Sequence, residues 1–430
     1  MTPDVTDTTT YAGYTLQKWT TAGTGTWTIP VGVTSVDYLV VAGGGGGGAD
    51  QYGGGGGAGG LKTATGFATT PGASVTVTLG AGGNGGTTGN SGSDGGSSVF
   101  HSISTTGGGG GGRVANGRAG GSGGGGGYNN EDATKTGGAG TSSEGSAGGS
   151  SAYYGGGGGG GKGSVGTNRG IYAPGGSGYD ASAFGISNTT TDERYSASGN
   201  NSSLAGATWK GQSFTPSFTY TIKKIKLWMK RTGTTVGTVT VQVYATSSNL
   251  PTGSVLASGT YNGNNLGTSL AWIEFDLGAG VSLTGSTVYA YTVDARDASG
   301  SSADIIMQNN TYTSGKGCQS ANSGSTWSNW DSGGNDQDTP FEIWGTHGFI
   351  AGGGGGSHGG GAGMAGPGRA GGGYASTYTI SEGSAGLANT GGGGGGGSSA
   401  ATGSGQAGGS GIVVIKYATP LTSVIMWIWE

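Results

Sequence analysis

Few side chains in this chain are grouped in ways that support catalysis. The three histidines, His101, His347 and His358, have no nearby Cys and no spaced set of Asp or Glu. No metal signature or nucleophile–base arrangement follows from them. Glycines 156–161 followed by Lys162 imitate a phosphate loop, but that motif needs Ser or Thr next, and Gly163 stands there. Two carboxylate pairs that could lie close, Asp294 with Asp297 and Asp336 with Asp338, read as solvated loop charges. No catalytic motif emerges, and the sequence predicts a non-enzymatic protein without an organic cofactor.

Binding chemistry is better represented. Residues 331–338, Asp-Ser-Gly-Gly-Asn-Asp-Gln-Asp, put Asp331, Asp336 and Asp338 on a flexible stretch. Calcium takes six to eight such oxygens, so these three are candidate ligands for a structural ion. The EF-hand pattern does not fit: its third position falls on Gly333 and its sixth on Asp336. A polar turn is the plainer reading of the same residues. Tyr312, Trp327 and Trp330 lie among Asn, Ser and Gly. Indole and phenol faces pack against sugar rings while amides and carboxylates hold the hydroxyls, so these are glycan candidates. Trp327 and Trp330 read equally well as core. Trp344, inside a strand pattern, reads as core. A second candidate surface comprises Tyr52, Tyr128 with Asn129, Tyr153, Tyr154, and Arg169 with Tyr172. They either bind or merely cover what lies beneath them.

Most of that second group sits beside oligoglycine runs, which must position it. The runs are residues 43–48, 53–57, 107–112, 123–127, 155–161, 352–356 and 391–397. Glycine loses more backbone freedom on folding than any other residue, so such runs usually form loose linkers. Their similar lengths, broken by turn-like and aromatic clusters, favour rods and turns instead. An ordered run would take the extended three-residue turn of polyproline II, which has no internal hydrogen bonds. Its N–H and C=O groups must then pair with neighbouring rods. A run of six spans roughly 19 Å. Collagen is excluded, because there is no Gly-X-Y period and only 9 prolines.

Composition agrees with an unconventional core. Of 430 residues, 110 are glycine, 32% are hydrophobic and 9% are charged. Net charge is −4, from 18 basic and 22 acidic residues, which leaves no electrostatic footprint for nucleic acid. Cys318 is the only cysteine, so no intrachain disulfide forms. No apolar stretch approaches the ~18 residues of a membrane span, and the first residues lack a secretory pattern. Strand patterns cover residues 14–20, 25–29, 34–42, 75–79 and 97–100, and residues 411–417 are expected to pair with the early ones. From about residue 186 the glycine runs stop and period-2 strands take over: 212–215, 222–230, 238–246, 272–277, 288–294, 305–308 and 341–344. Residues 250–253, Leu-Pro-Thr-Gly, read as a turn. The expected fold is all-β plus polyglycine II with almost no helix. A glycine-rich rod bundle with a small capping sheet, residues 1–185 and 346–417, is interrupted by an antiparallel β-sandwich, residues 186–345. Residues 418–430 form an apolar tail, read as an edge strand or lid, with a docking peptide as the alternative.

These residues meet a known pattern. Trp27-Thr28-Ile29-Pro30-Val31-Gly32-Val33-Thr34, then 36–42, then 43–48, resembles the start of the glycine-rich domain in tailed-phage fibre and adhesin proteins. Gly409-Ser410-Gly411 followed by 412–417 resembles its end, and residues 77–83 and 95–100 its internal strands. The resemblance covers residues 12–182 and 346–417. It implies polyglycine II rods and exposed loops that select a host-surface receptor. Residues 212–215, 222–228, 250–253 and 323–327 resemble a jelly-roll-like sandwich module of secreted and virion proteins, a kind that often binds carbohydrate. The resulting expectation is a virion protein, released by lysis: a tail-fibre or tail-tip adhesin for a host glycan or outer-surface protein. It would contact other virion proteins, with a homotrimer as one possible assembly. The alternative is a structural or decoration protein of tail or capsid with no receptor.

Overall fold

The computed structural model describes residues 1–50, 52–128, 134–168, 173–195, 199–309, 312, 314–332, 335–358, 368, 370–376, 383–398 and 403–420. Among these the protein is all-β, with several antiparallel sheets, two single-turn 3₁₀ segments and no α-helix. It divides into two compact units. The first is Met1–Ile186 with Gly348–Gly360 and Ala365–Glu430; the second is Ser187–His347 with Gly361–Met364. The second is thus inserted into the sequence of the first. Residues 421–430, which hold the apolar tail, lie outside the described residues.

In the first unit, alternating apolar residues build two facing sheets. One has the order Val5–Asp7, Tyr14–Trp19, Ile412–Ala418, Ser35–Val41, Leu61–Ala68. The other is Gly23–Thr28, Ser74–Leu79, Ser98–Phe100, Ile103–Thr105. Ile412–Ala418 is central: it pairs with Tyr14–Trp19 on one side and Ser35–Val41 on the other. Strand alternation sends Trp19, Tyr38, Val40, Val413 and Ile415 to one face, where they meet Trp27, Val77 and Phe100. Leu16, Leu39, Val41, Ile412 and Val414 point the other way, against Leu61, Phe184 and Ile350. The sheet is therefore buried on both faces. The strand Leu61–Ala68 carried no strong sequence signal, because Lys62, Ala64 and Gly66 have weak β-preference.

The glycine runs leave this apolar base and pair with one another. The N–H groups of Gly43 and Gly46 donate to Gly96 and Ser93, those of Gly44 and Gly47 to Gly409 and Gln406, and those of Gly45 and Gly48 to Gly57 and Gly54. Their carbonyls accept from Gly108 and Gly111, from Gly83 and Gly86, and from Gly394 and Gly397 respectively. Each of these bonds is 2.8–2.9 Å. Every third residue addresses the same neighbour, the repeat of an extended segment with three residues per turn. One segment thus touches six others. The three reached through N–H run antiparallel and the three reached through C=O run parallel. All twelve backbone polar groups of the run are satisfied without a side chain, which meets the requirement for buried backbone.

The second unit is a sandwich. One sheet has the order Asn188–Tyr195, Phe341–His347, Tyr220–Thr232, Ser302–Asn309, Asn335–Asp338, Asp331–Ser332, with Asn200–Leu204 and Ala271–Leu283 paired alongside. The other is Leu250–Asn262, Thr238–Ser247, Tyr289–Asp294, Trp209–Phe214, Gly317–Ser320, Ser328–Asn329. Val239, Val241 and Val243 are fully buried on one face, as period 2 requires. Residues 250–253 do not form the expected turn. They begin the edge strand Leu250–Asn262, where Pro251 is tolerated because the edge needs no donor on its open side. The reversal falls one step earlier, at Ser248 and Asn249. Both have positive φ (53° and 67°), the backbone of a tight primed hairpin turn. Trp344 is only half-buried; Phe341 and Ile343 fill the core instead.

Candidate functional site

Three glycine-run turns meet at one place. The run 43–48 reverses through Ala49 and Asp50. Asp50 has φ +64°, and its carboxylate accepts from the Gly89 N–H (3.1 Å) and pairs with Arg113. Tyr52 follows and opens the run 53–57. Tyr128 closes the run 123–127, and its N–H donates to the Tyr52 carbonyl (3.1 Å). Ala152 and Gly155 exchange backbone hydrogen bonds of 3.2 and 3.0 Å, which holds Tyr153 and Tyr154 at the bend before the run 156–161. Tyr154 has φ +60°, a conformation uncommon for a bulky residue and informative where it persists.

The four rings form a closed cycle. Centroids are 5.8 Å apart for Tyr52–Tyr128, 6.2 Å for Tyr128–Tyr153, 5.9 Å for Tyr153–Tyr154 and 6.0 Å for Tyr52–Tyr154. Contacts of this kind contribute about 0.5–1.5 kcal/mol each beyond area burial. Tyr52 and Tyr128 are buried and act as the floor. Tyr153 is 65% exposed and Tyr154 48%. The sequence groups these tyrosines as one candidate surface but does not show that their rings touch. The signal that joins them is positional: each abuts a glycine run of similar length, so antiparallel neighbours bring their ends together. Asn129, Arg169 and Tyr172 lie outside the described residues.

The sandwich candidates separate. Tyr312 and Trp330 are core side chains rather than binding surfaces. Tyr312 packs against Tyr195 and Phe341, at 5.4 and 5.2 Å. Trp330 lies under the Lys210 ammonium, 4.1 Å from its ring centre. Trp327 alone stays partly exposed, 6.4 Å from Trp209. Asp331 and Asp336 face each other across a hairpin, and Lys316 Nζ lies 3.0 Å from Asp336. The hydrogen bond with Asp336 raises the Asp331 pKa, and the hydrogen bond from Lys316 lowers that of Asp336. Asp338 is fully buried and accepts from Gln212 Nε2 and the Tyr312 N–H, both at 2.9 Å. Among the described residues no three His, Cys, Asp or Glu side chains gather as metal ligands. Among the buried polar atoms of the sandwich that make no hydrogen bond are Trp209 Nε1 and Thr292 Oγ1. Each such omission costs about 1–3 kcal/mol.

Burial pushes the Lys210 pKa down to about 8, while its ammonium donates to Gln319 Oε1 at 2.7 Å. The unfolded chain, with an ordinary lysine at 10.5, then holds more protons between these values. Stability therefore rises from about pH 8 to pH 10.5. Denaturant titration across this range will show that rise in the sandwich, and Lys210→Met will flatten it. A slope that Lys210→Met leaves intact would assign the effect to another group.

No helix among the described residues is long and apolar enough to cross a membrane. No curated protein matches the chain. A family model described as a glycine-rich domain matches residues 20–217, which span the strands from Gly23–Thr28 onward, the first five glycine runs, the tyrosine cycle and the start of the inserted unit, and the chain accordingly carries a glycine-rich domain.

Proposed function

We propose that this protein is a virion adhesin of a tailed phage, and that the tyrosine cycle is its receptor contact. The observation that carries this reading is the convergence of Tyr52, Tyr128, Tyr153 and Tyr154 from three turns, with two rings left open to solvent. Recognition loops work best on a rigid support, and tyrosine supplies large contact area at low entropic cost. Here the support is the cross-paired glycine lattice, read as polyglycine II rods. The ligand is a host cell-surface glycan or outer-surface protein, engaged by ring stacking and by the phenol hydroxyls. Many copies on one particle would add avidity. In this reading the protein sits in the tail fibre or tail tip and contacts other virion proteins at its base. Purified chain will block adsorption of the parent phage to its host in a dose-dependent way. Absence of both cell binding and blocking would favour a structural role in the tail or capsid.

A further inference from the structure

We propose a second binding site, for a saccharide, on the sheet of the inserted unit that contains Trp209–Phe214, and independent of the tyrosine cycle. Strand register defines the face. Gly211 pairs with Thr292 and Gln242 pairs with Thr292, so Thr292 and Gln242 share a side of the sheet. Trp209 lies two residues before Gly211 and Asp294 two after Thr292, which puts both on that side. The Arg296 guanidinium reaches back over it: its Nε and Nη2 donate to the Asp294 carboxylate at 2.8 and 2.9 Å, and its carbon lies 4.8 Å from the Trp209 ring centre. Trp327, on a neighbouring loop, leans on Trp209 at 60° and keeps part of its ring in solvent.

Folding accounts for the pairing of the buried Asp294 with Arg296, but not for the two unmet polar groups beside it. Trp209 is 6% exposed and Thr292 is fully buried, yet the indole N–H and the threonine hydroxyl have no partner. One is a donor and the other both donor and acceptor. Arg296, about half exposed, covers Trp209 and is the side chain whose movement would open it. A saccharide answers every element of this set. Its hydroxyls fill the two unmet hydrogen bonds, a pair of adjacent hydroxyls spans Arg296 and Asp294, and its apolar ring face lies on Trp327. An apolar peptide would leave both orphaned groups unmet.

The test uses the full chain and affinity electrophoresis against dextran, mannan, a β-1,3-glucan and purified lipopolysaccharide O-polysaccharide. The wild-type chain is expected to be retarded by at least one of them, with its tryptophan fluorescence quenched. Trp327→Ala, and Trp209→Phe, which keeps a ring but loses the N–H, should each weaken that binding about tenfold. A tip variant lacking the Tyr153 and Tyr154 rings should bind as wild type, so failure of the tip reading and failure of this one are separable. No retardation of the wild-type chain by any of the four, or equal binding by Trp327→Ala and Trp209→Phe, overturns the proposal. So does capture of a host protein through these residues without polysaccharide binding.

Discussion

Gly45→Ala will destabilise the glycine-rich unit by about 3–5 kcal/mol, well above the usual cost of a single substitution. The Gly45 N–H donates to Gly57 and its carbonyl accepts from Gly394, so the residue cannot shift without breaking bonds to two segments. A methyl group there would lie under 3.0 Å from the Gly109 carbonyl, a separation real side chains do not show. The obstacle is backbone, held in place by its own hydrogen bonds, and no flexible side chain can move aside. The same holds for Gly44 against Gly392 and Gly47 against Gly395. Gly267→Ala, in the inserted unit, controls for the substitution itself, since its nearest neighbour is 3.4 Å away. Calorimetry should show the first unit melting roughly 10 °C lower in Gly45→Ala. The control should melt as wild type. Equal melting of the two proteins would mean that the lattice tolerates side chains and is not close-packed.

The second large effect concerns binding. Tyr153→Ala combined with Tyr154→Gly removes the two exposed rings, and glycine suits the left-handed backbone at 154. Tyr52 and Tyr128 keep their contact at 5.8 Å. The double variant loses three of the four ring contacts, so it should still fold but melt a few degrees lower, with glycine at 154 offsetting part of the loss. Its affinity for host cells should drop at least about 100-fold, the loss expected when two aromatic anchors at the centre of an interface are truncated. Tyr128 is buried, so in Tyr128→Ala stability and binding should fall together. A double variant that binds cells as well as wild type would remove the tyrosine cycle from recognition.

Parts of this fold were legible because their signals are local. Val36, Tyr38 and Val40 alternate, and residues 412–415 are an unbroken β-branched run, so a strand at each end of the glycine-rich segment was readable. The pairing of Ile412–Ala418 with the early strands followed from the need of both to bury two apolar faces. Residues 250–253 were misread because Pro and Gly mark turns in general. Here Pro251 sits on an edge strand, and the left-handed backbone falls to Ser248 and Asn249, which sequence does not single out. The four tyrosines were legible as one candidate surface but not as a ring cycle, because ring contact depends on which segments adjoin. Glycine runs are alike in sequence and carry no label for their neighbours. Trp209 was missed as a site residue for a related reason. Its surroundings, Arg296 and Trp327, come from loops about 90 and 120 residues further along, brought together by sheet register.

Adsorption competition shows whether the tyrosine cycle is the receptor contact. Host cells are incubated with purified wild-type chain or with the Tyr153→Ala, Tyr154→Gly variant, and then challenged with the parent phage. Wild-type chain should lower the adsorption rate in proportion to its occupancy of the cells, and the folded variant should have no effect at the same concentration. Equal blocking by both proteins, or blocking by neither while the wild-type chain is folded, would contradict it.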